Sequence, residues 1–553
     1  MKSALRWWTS LSDLGARSSA IVLATMLVMA GAYSLFSSFV KPFWYDEVCT
    51  VIVSRLSTGT EMWNALEQAA DTNPPLYYLL THFARQLVGD DHIGYRLPSI
   101  VGLLGAITCL YAFLSKKVSH LAALAGAASV LCFLSLSYAD EARPYAVMLG
   151  CVAAAMLAWQ RMDDSRASAF ALAVALAAAV SVHYYALFVW PAFGLAEAVV
   201  WRLDKRFRVG AWAAWIAGLT PFLFFGHMLL NLRRAYGQNF WARPGVSQML
   251  SAQDGLFTGN GHWGFTLAFG ISVLLAALWL RERMGWMPGQ DQRAGLEERI
   301  LPTGDSVLAM GLLWIPMVAT AAALISHGGM TTRYMLPAVL GGAAMIGFLA
   351  DRLSGRARML LLLLLLVNFG MSFVSKVKAA SKNSLLEQRT SSAQELQHIL
   401  AAAHEPELPV VIASGLDYLP MAYYTPPDIG RRLYLITDPP AALRYSGSDS
   451  IDLALLILRR YAPLQVEDYS SFSSRHRQFL LVVHGGDGFD WWPWHLLHEG
   501  HSLELRGRVG RATIYAVTLR GASGNPGNGE NSAIQRSTAA RSVGPQHTVG
   551  VRH

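Results

Sequence analysis

Eleven long apolar runs are the feature of this sequence that most limits what the chain can fold into. They lie at about 19–40, 94–115, 119–137, 143–160, 167–182, 185–202, 210–230, 263–280, 305–326, 334–350 and 358–375. The fifth and sixth runs are short and meet near Ser181–Tyr185. A helix needs about 20 mostly apolar residues to cross the hydrocarbon core of a bilayer. The sequence therefore predicts an α-helical polytopic membrane protein with about 11 transmembrane helices.

The composition also indicates that lipid is the solvent for much of the chain. Of 553 residues, 53% are hydrophobic and 15% are charged, whereas soluble domains carry about 25% charged residues. The net charge of +8 would suit nucleic acid, but most of the basic residues lie in short loops between apolar runs, where they act as topology signals. We therefore expect membrane lipids as partners, and no nucleic acid.

The first apolar run argues against a cleaved signal peptide, and the four cysteines argue against a disulfide-rich or cysteine-based metal-binding protein. The run at about 19–40 is too long for a signal-peptide core and no A-x-A-like cleavage site follows it, so we interpret it as a retained helix. Cys109, Cys132 and Cys151 lie within apolar runs and Cys49 stands alone outside them. The spacing forms neither a disulfide framework nor a metal-binding motif, and buried apolar roles are expected.

The distribution of lysine and arginine predicts the orientation. With the N-terminus in the cytoplasm, the cytoplasmic segments hold Lys2, Arg6, Arg17, Lys116, Lys117, Arg161, Arg166, Arg202, Lys205, Arg206, Arg208, Arg281, Arg283, Arg293, Arg299, Arg352, Arg356 and Arg358. The opposite loops are poorer in basic residues, as the positive-inside rule requires. An odd number of spans then places everything after about residue 376 outside the cytoplasm.

The same reading divides the chain into three parts. Residues 1–375 form a multi-spanning domain with a large first external loop at 41–93. Residues 376–519 are predicted to form a small extracytoplasmic α/β domain, with strands at Leu408–Ala413, Arg432–Ile436 and Phe479–Val483. Residues 520–553 are rich in Gly, Ser, Asn and Arg, and are predicted to be disordered.

Unusual polar clusters occur in the loops that the charge rule places outside. They are Phe43–Glu47, Thr72–Tyr78 and Tyr95–Ser99 in the first loop, Ser137–Tyr145 in the second, Ser181–Tyr185 in the third, Arg233, Arg234 and Arg243 in the fourth, and His327 with Arg333–Tyr334 in the fifth. Ionisable residues beside a bilayer are energetically costly. Each cluster is therefore a functional candidate.

These residue types suit one kind of chemistry. Of two adjacent carboxylates such as Asp46 and Glu47, one can take a proton from a hydroxyl while the other holds a cation or the acceptor. Arginines beside the headgroup zone suit a phosphate, because guanidinium donates two parallel hydrogen bonds to it. Together they predict a site for a phosphorylated lipid and a hydroxyl acceptor.

Each cluster also has a structural interpretation. The acidic pair could be a solvated loop, Arg96 and Arg143 could be interface anchors, and His183 could belong to an aromatic belt. The segment Asn73-Pro74-Pro75 is a helix-start signal as much as a motif. The occurrence of all of them in loops assigned to one face favours the functional interpretation.

The ordered series of motifs resembles a known family. An acidic pair after the first span is followed by N-P-P-L-Y at Asn73–Tyr77, R-L-P-S at Arg96–Ser99 and Y-x-x-E-A-R-x-Y at Tyr138–Tyr145. This series is similar to that of bacterial lipid-dependent glycosyltransferases of the GT-C fold. It resembles the branch that contains protein O-mannosyltransferases and the aminoarabinose transferase of lipid A. The R-Y-x-L-P element at Arg333–Pro337 extends the resemblance more weakly.

The resemblance implies transfer of a sugar from a polyprenyl-phosphate donor to a lipid, glycan or protein acceptor on the periplasmic face of the bacterial inner membrane, usually with inversion. It implies Asp46, with Glu47, as catalytic residues, and Arg143, Arg96 and Arg333 as ligands of the donor phosphate. The substrate-binding set is Asn73, Tyr77, Tyr138, Glu141, His183 and Tyr184. Asp140 stands where the family often has Gln, which leaves open a divalent cation held by Asp46, Asp140 and Glu141.

Other functions stay open at this point. A lipid or anionic-solute transporter or flippase would need polar groups near the bilayer midplane and repeated topology, and the apolar runs are nearly free of charge. A membrane-anchored sensor would not need acidic pairs in two loops. A surface-polysaccharide polymerase or ligase would share much of the pattern. The chain carries no P-loop or dinucleotide fingerprint, so a nucleotide-dependent reaction is not expected.

The orientation gives a direct test. A reporter that is active only in the cytoplasm should work when it is fused after Arg208, and one that is active only in the periplasm should work after Lys376, because the charge rule places these positions on opposite sides. Enzyme activity of the two fusions in whole cells is the measurement. The reverse result at either position would contradict the predicted topology.

Overall fold

The computed structural model describes residues 15–236, 239–258, 303–326, 328–380, 391–403, 407–486 and 488–520. The chain divides into two compact units, Met1–Arg389 and Thr390–His553. The first unit is helical and the second contains the β-sheet.

Helices form nearly all of the regular structure in the first unit. In chain order they are α1 (Ala16–Val40), α2 (Tyr45–Ser54), α3 (Gly59–Glu67), α4 (Pro75–Val88), α5 (His92–Ser115), α6 (His120–Ser129), α7 (Tyr145–Gln160), α8 (Arg166–Val182), α9 (Trp190–Asp204), α10 (Val209–Ala217), α11 (Phe222–Tyr236), α12 (Val246–Thr258), α13 (Thr303–Leu313), α14 (Ile315–Ser326), α15 (Ala338–Ala350) and α16 (Gly355–Ala380). Short 3₁₀ segments occur at Val130–Cys132, Leu134–Tyr138, Tyr184–Val189 and Thr332–Met335.

Several of these helices are long and apolar enough to cross a membrane. Within the described residues there are four, Ala16–Val40, His92–Ser115, Tyr184–Asp204 and Gly355–Lys378. Two bent pairs, α10 with α11 at 44° and α13 with α14 at 52°, raise the number to six if each pair is one span. Shorter apolar helices lie at His120–Cys132, Tyr145–Gln160, Arg166–Val182 and Ala338–Ala350. Ten of the eleven predicted runs thus coincide with a helix or a bent pair, and the run at 263–280 lies outside the described residues.

Local sequence explains where helices near the polar loops begin and end. Lys41 adopts extended backbone (ψ 123°) in front of Pro42, and this ends α1 because proline disfavours helical backbone in the preceding residue. Pro75 occupies the first turn of α4, where its missing N–H costs no helical hydrogen bond. His183 is extended (φ −153°, ψ 127°) and separates α8 from the 3₁₀ segment that leads into α9. Each of these breaks leaves polar residues at a helix end.

Glycines allow α5 and α7 to pack with their backbones in close contact. A Cβ atom added at Gly102 would lie 2.6 Å from the carbonyl oxygen of Ala146 and 2.7 Å from the Cα of Val147. A Cβ atom at Gly150 would lie 2.7 Å from the carbonyl oxygen of Gly102. Small residues allow membrane helices to approach in this way, and van der Waals contact then stabilises the pair. The crossing fixes Arg96, two residues before Pro98 on α5, relative to Arg143, just before α7.

The second unit contains a mixed six-stranded sheet. Its elements are α17 (Ser391–Ala403), β1 (Val410–Ile412), α18 (Gly415–Tyr424), α19 (Pro427–Gly430), β2 (Leu433–Thr437), α20 (Pro439–Ser446), α21 (Ser450–Leu458), β3 (Val466–Asp468), α22 (Tyr469–Arg475), β4 (Gln478–Val483), α23 (Trp492–His498), β5 (Ser502–Val509) and β6 (Ala512–Thr518). The strand order is β3-β2-β1-β4-β6-β5, with β1 to β4 parallel and β6 antiparallel to both neighbours. Val410 lies opposite Leu433 and Leu480 in the central register.

The helical fold and the small C-terminal α/β region predicted from the sequence are confirmed. The predicted strands at Leu408–Ala413, Arg432–Ile436 and Phe479–Val483 correspond to β1, β2 and β4. Residues 521–553, which make up nearly all of the predicted disordered tail, lie outside the described residues, as does His327. The span count and the extracytoplasmic position of the second unit stay predictions.

The close approach of α5 and α7 leads to a stability prediction. Gly102→Val should lower the midpoint of thermal unfolding in detergent, because the new side chain must push apart two backbones; overpacking typically costs about 1–3 kcal/mol. Gly105→Ala is the matched control, since no described atom lies within 4 Å of its added Cβ. Equal midpoints for both variants would show that this crossing does not limit stability.

Candidate active site

The centre of the polar cluster is a fully buried ion pair between Glu47 and Arg96. Arg96 donates from Nε to Oε1 and from Nη2 to Oε2, both at 2.7 Å, and both side chains are 0% exposed. Glu47 also accepts from the backbone N–H groups of Ala142 at 2.6 Å and Trp44 at 3.3 Å. This carboxylate therefore joins α2, α5 and the loop before α7.

The other N–H groups of the Arg96 guanidinium also donate hydrogen bonds to protein acceptors. Nη1 donates to the carbonyl oxygens of Ser38 and Lys41 at 2.8 and 2.7 Å, and Nη2 donates to that of Pro42 at 3.1 Å. With the two bonds to Glu47, all five N–H donors of Arg96 have protein acceptors. In this geometry Arg96 has no N–H donor left for a phosphate, and both Glu47 oxygens are engaged by protein groups. The predicted roles of Arg96 as a phosphate ligand and of Glu47 as a catalytic residue stay predictions.

Arg143 is held by a residue that the sequence analysis missed. Its Nη1 donates to Asp71 Oδ2 at 2.6 Å and its Nη2 to Oδ1 at 3.3 Å, with both side chains buried. Nη1 also approaches the carbonyl oxygen of Asp46 at 2.9 Å and the hydroxyl of Thr50 at 3.1 Å. Arg143 therefore connects the start of α2 to the segment before α4.

The side chain of Asp46 pairs with Arg333. The Oδ2 to Nη2 distance is 2.9 Å, and the side chains are 16% and 10% exposed. The guanidinium of Arg333 lies over four aromatic rings, at 5.1 Å from Trp44, 5.8 Å from Tyr145, 6.0 Å from Trp241 and 6.0 Å from Tyr334. A guanidinium over aromatic faces is attracted by their quadrupoles. The charge of Arg333 is thus stabilised by rings on several segments, together with one carboxylate.

The second acidic pair surrounds a lysine. Lys41 Nζ lies 3.0 Å from Asp140 Oδ1 and 3.1 Å from Glu141 Oε1. Asp140 also accepts a hydrogen bond from the Ser37 hydroxyl and lies 3.8 Å from Lys376 Nζ. Burial raises the pKa of Asp140, but the nearby lysines outweigh it and the pKa is lowered overall. For Glu141, burial outweighs Lys41 and the pKa is raised.

His183 is buried next to the same arginines and is neutral. Burial, followed by the charges of Arg143 and Arg333, lowers its pKa to about 3. Its Nδ1 accepts from the backbone N–H of Tyr185 at 3.1 Å, and its ring lies 5.1 Å from that of Tyr334. The histidine therefore contributes a neutral polar ring to the site.

The three tyrosines predicted to bind substrate lie in different surroundings. Tyr77 is fully buried and its hydroxyl lies 3.1 Å from that of Ser99, which donates to the carbonyl oxygen of Arg143. Tyr138 packs edge-on against Tyr145 at 5.1 Å. Tyr184 lies away from this set, with its ring near Phe222 and Phe225 of α11. Its predicted role in substrate binding has no support in these contacts.

Several buried polar atoms around the arginines have no hydrogen-bond partner among the described residues. They include the donors Arg143 Nε, Arg333 Nε and the Tyr45 hydroxyl, and one acceptor, Glu141 Oε2. Buried polar groups without partners are costly in a protein that does not use them. The free Nε donors of the two arginines therefore favour an anionic ligand beside Arg143 and Arg333.

The carboxylates do not fit a metal site formed by the protein alone. Across the described residues, no group of three or more His, Cys, Asp or Glu side chains could hold a metal ion. Asp46 is engaged by Arg333, and Asp140 and Glu141 are engaged by Lys41. The divalent cation stays a prediction from the sequence, and no chemical step below depends on it.

Comparison with solved structures shows a similar fold. The chain matches the crystal structure of ArnT from Cupriavidus metallidurans bound to undecaprenyl phosphate with a TM-score of 0.55, at 14% sequence identity and over 91% of this chain and 98% of that chain. The chain has a GT-C-like fold. The apo structure of that ArnT matches over the same shares, with 15% identity and a TM-score of 0.44. No family model and no curated protein matches the sequence.

The GT-C-like fold brings most of the predicted site residues together, and the match confirms the resemblance inferred from the motifs. The sequence analysis missed Asp71 and Lys41. Asp71 could have been suspected as a carboxylate two residues before the N-P-P motif, and Lys41 as a lysine at the outer end of the first span. Trp241 had no signal, because only tertiary packing brings it to Arg333.

The structural role of Arg96 gives a prediction. Arg96→Met should lower the thermal unfolding midpoint strongly, because Glu47 would be left buried and unpaired, which typically costs about 3–5 kcal/mol. The double variant Arg96→Met/Glu47→Met should recover much of that loss, because an apolar pair needs no counter-charge. A single variant that unfolds like wild type but binds lipid phosphate poorly would return Arg96 to the phosphate site.

Proposed function

We propose that this protein is a glycosyltransferase that moves a sugar from a polyprenyl-phosphate donor to a hydroxyl of a lipid, glycan or protein. The observation that carries the proposal is the joint position of Asp46, Arg333 and Arg143 in one buried cluster of a GT-C-like fold. A carboxylate at the edge of such a site can act as a base, and guanidinium groups suit a phosphate. The similar ArnT structure contains undecaprenyl phosphate.

In this proposal each group has one task. Asp46 takes the proton of the acceptor hydroxyl, and that oxygen attacks the anomeric carbon opposite the phosphate, so the configuration inverts. Arg333, together with the unpaired Nε of Arg143, neutralises the charge that develops on the leaving phosphate. Asn73 and Tyr78 contribute buried polar side chains to the site, and His183 remains neutral beside them.

The placement in the cell belongs to the same proposal. The protein is a multi-pass membrane protein. The charge rule places the active site and the C-terminal unit on the periplasmic face of a bacterial inner membrane. Nucleotide sugars are absent from that face, and a lipid-linked donor fits a site built at the ends of membrane helices.

The first test is a substitution of the proposed base. Asp46→Asn should abolish transfer while the protein still inserts and folds, because a general base typically contributes about 10²–10⁴ in rate. The measurement compares lipids, glycans and proteins of a deletion strain complemented with wild type or variant, by mass spectrometry. One envelope component should lose a sugar mass in both the deletion and the Asp46→Asn strain.

Two results would contradict the proposal. If envelope components are identical in wild-type and deletion strains, the protein transfers no sugar to them. If Asp46→Asn restores the modification to within threefold of wild type, this carboxylate is not the base. Asp204→Asn, at the end of α9, is a matched control outside the cluster, and it should retain wild-type modification.

A further inference from the structure

The ion pairs of the cluster are balanced in charge as the structure stands. Five carboxylates, those of Asp46, Glu47, Asp71, Asp140 and Glu141, face five cations, those of Lys41, Lys376, Arg96, Arg143 and Arg333. A sugar phosphodiester brings one further negative charge. Because the site is largely buried, that charge needs a cation at short range. One of the existing cations must therefore take it as a partner.

The three arginines differ in how firmly they are held. Arg96 uses all five donors on protein acceptors, and Arg143 is joined to Asp71 through both Nη atoms. Arg333 has a single ion-pair partner, Asp46, and its buried Nε has no hydrogen-bond partner within the described part of the chain. Its other contacts within the described residues are with aromatic faces, which attract the charge without fixing the direction of a hydrogen bond. Of the three arginines, Arg333 is therefore the one that can change its partner at the lowest cost.

We propose that Asp46 and the donor phosphate compete for Arg333, so that donor binding releases the base for the acceptor. This inference rests on the proposed function and adds the order of events, in which donor binding comes before the base acts on the acceptor. In the absence of donor, the guanidinium of Arg333 lies against the Asp46 carboxylate, with 2.9 Å between Nη2 and Oδ2. When the phosphate takes Arg333, the Asp46 carboxylate is left without this partner and can accept the hydrogen bond of the acceptor hydroxyl.

The changes of charge during the reaction match this exchange of partners by Arg333. The acceptor hydroxyl gives its proton to Asp46, and its oxygen forms the new bond to the anomeric carbon. The bond from that carbon to the phosphate oxygen breaks, and the electron pair stays on the phosphate. One negative charge thus disappears at Asp46 and one appears on the leaving phosphate, which is where Arg333 has moved. When Asp46 loses its proton, it can take Arg333 back and help to expel the lipid phosphate.

Competition predicts an unusual phenotype for a base variant. Asp46→Asn should bind undecaprenyl phosphate roughly tenfold more tightly than wild type, because the competitor for Arg333 has lost its charge. Arg333→Gln should bind it roughly tenfold more weakly. Dissociation constants are measured by native mass spectrometry on the full-length protein in detergent, with inorganic phosphate in a parallel arm to separate lipid binding from binding of the anion alone.

A double variant separates exchange from simple charge repulsion. In Asp46→Asn/Arg333→Gln the tightening should vanish, and the dissociation constant should equal that of Arg333→Gln. If the tightening persists without Arg333, Asp46 only repels the phosphate and the exchange is overturned. Asp351→Asn is the control: it removes a carboxylate that pairs with Arg358 outside the cluster, and it should leave the dissociation constant within about twofold.

The remaining outcomes also decide between the two proposals. If wild type binds the lipid phosphate and Asp46→Asn binds it equally or more weakly, the exchange is wrong while the proposed function stands. A wild-type protein that binds no undecaprenyl phosphate would overturn both. Binding of inorganic phosphate as tight as that of the lipid would contradict the lipid-linked donor. In that case the exchange is supported if Asp46→Asn also tightens inorganic phosphate, and it is overturned if it does not.

Discussion

The buried pair of Glu47 and Arg96 is the interaction on which the rest of the site depends. An ionised pair at a membrane boundary is tolerated only when every donor and acceptor has a partner, and here they all do. Because Arg96 also binds the carbonyl oxygens at the end of α1, one guanidinium fixes the helix end, the first loop and the loop before α7. Asp46 is adjacent to Glu47 on α2, so its backbone position is fixed by the same contacts.

Around that fixed centre, the cluster is graded in how firmly its charges are held. Arg96 is fully bonded, Arg143 is forked onto Asp71, and Arg333 rests among aromatic rings with one carboxylate. In the proposed reaction a phosphate is first accepted and then released, which needs a rigid frame together with at least one cation that is free to exchange. Arg96 belongs to the rigid part of the cluster, and Arg333 is the proposed exchangeable cation.

Some residues of the site were identified from sequence motifs, whereas the differences between them became apparent only in the tertiary structure. The acidic pair, the arginine of the second loop and Arg333 were identified from the residues, because ionisable groups near apolar runs are rare enough to be conspicuous. Residue type could not separate Arg96 from Arg143, or Glu47 from Asp46. Their difference lies in which acceptors surround them: two adjacent carboxylates on one helix point in different directions, one into the protein and one toward Arg333.

The sequence by itself determined the class of the protein, since a run of about 20 apolar residues has few alternatives to a membrane helix and since short strands stand out after the last run. It also determined where helices begin and end, because Pro42, Pro75 and the polar loops are local signals. Only the tertiary structure decided which charge is structural and which is available. That depends on contacts between residues far apart in the chain, such as Asp71 with Arg143 and Trp241 with Arg333, and no local pattern encodes them.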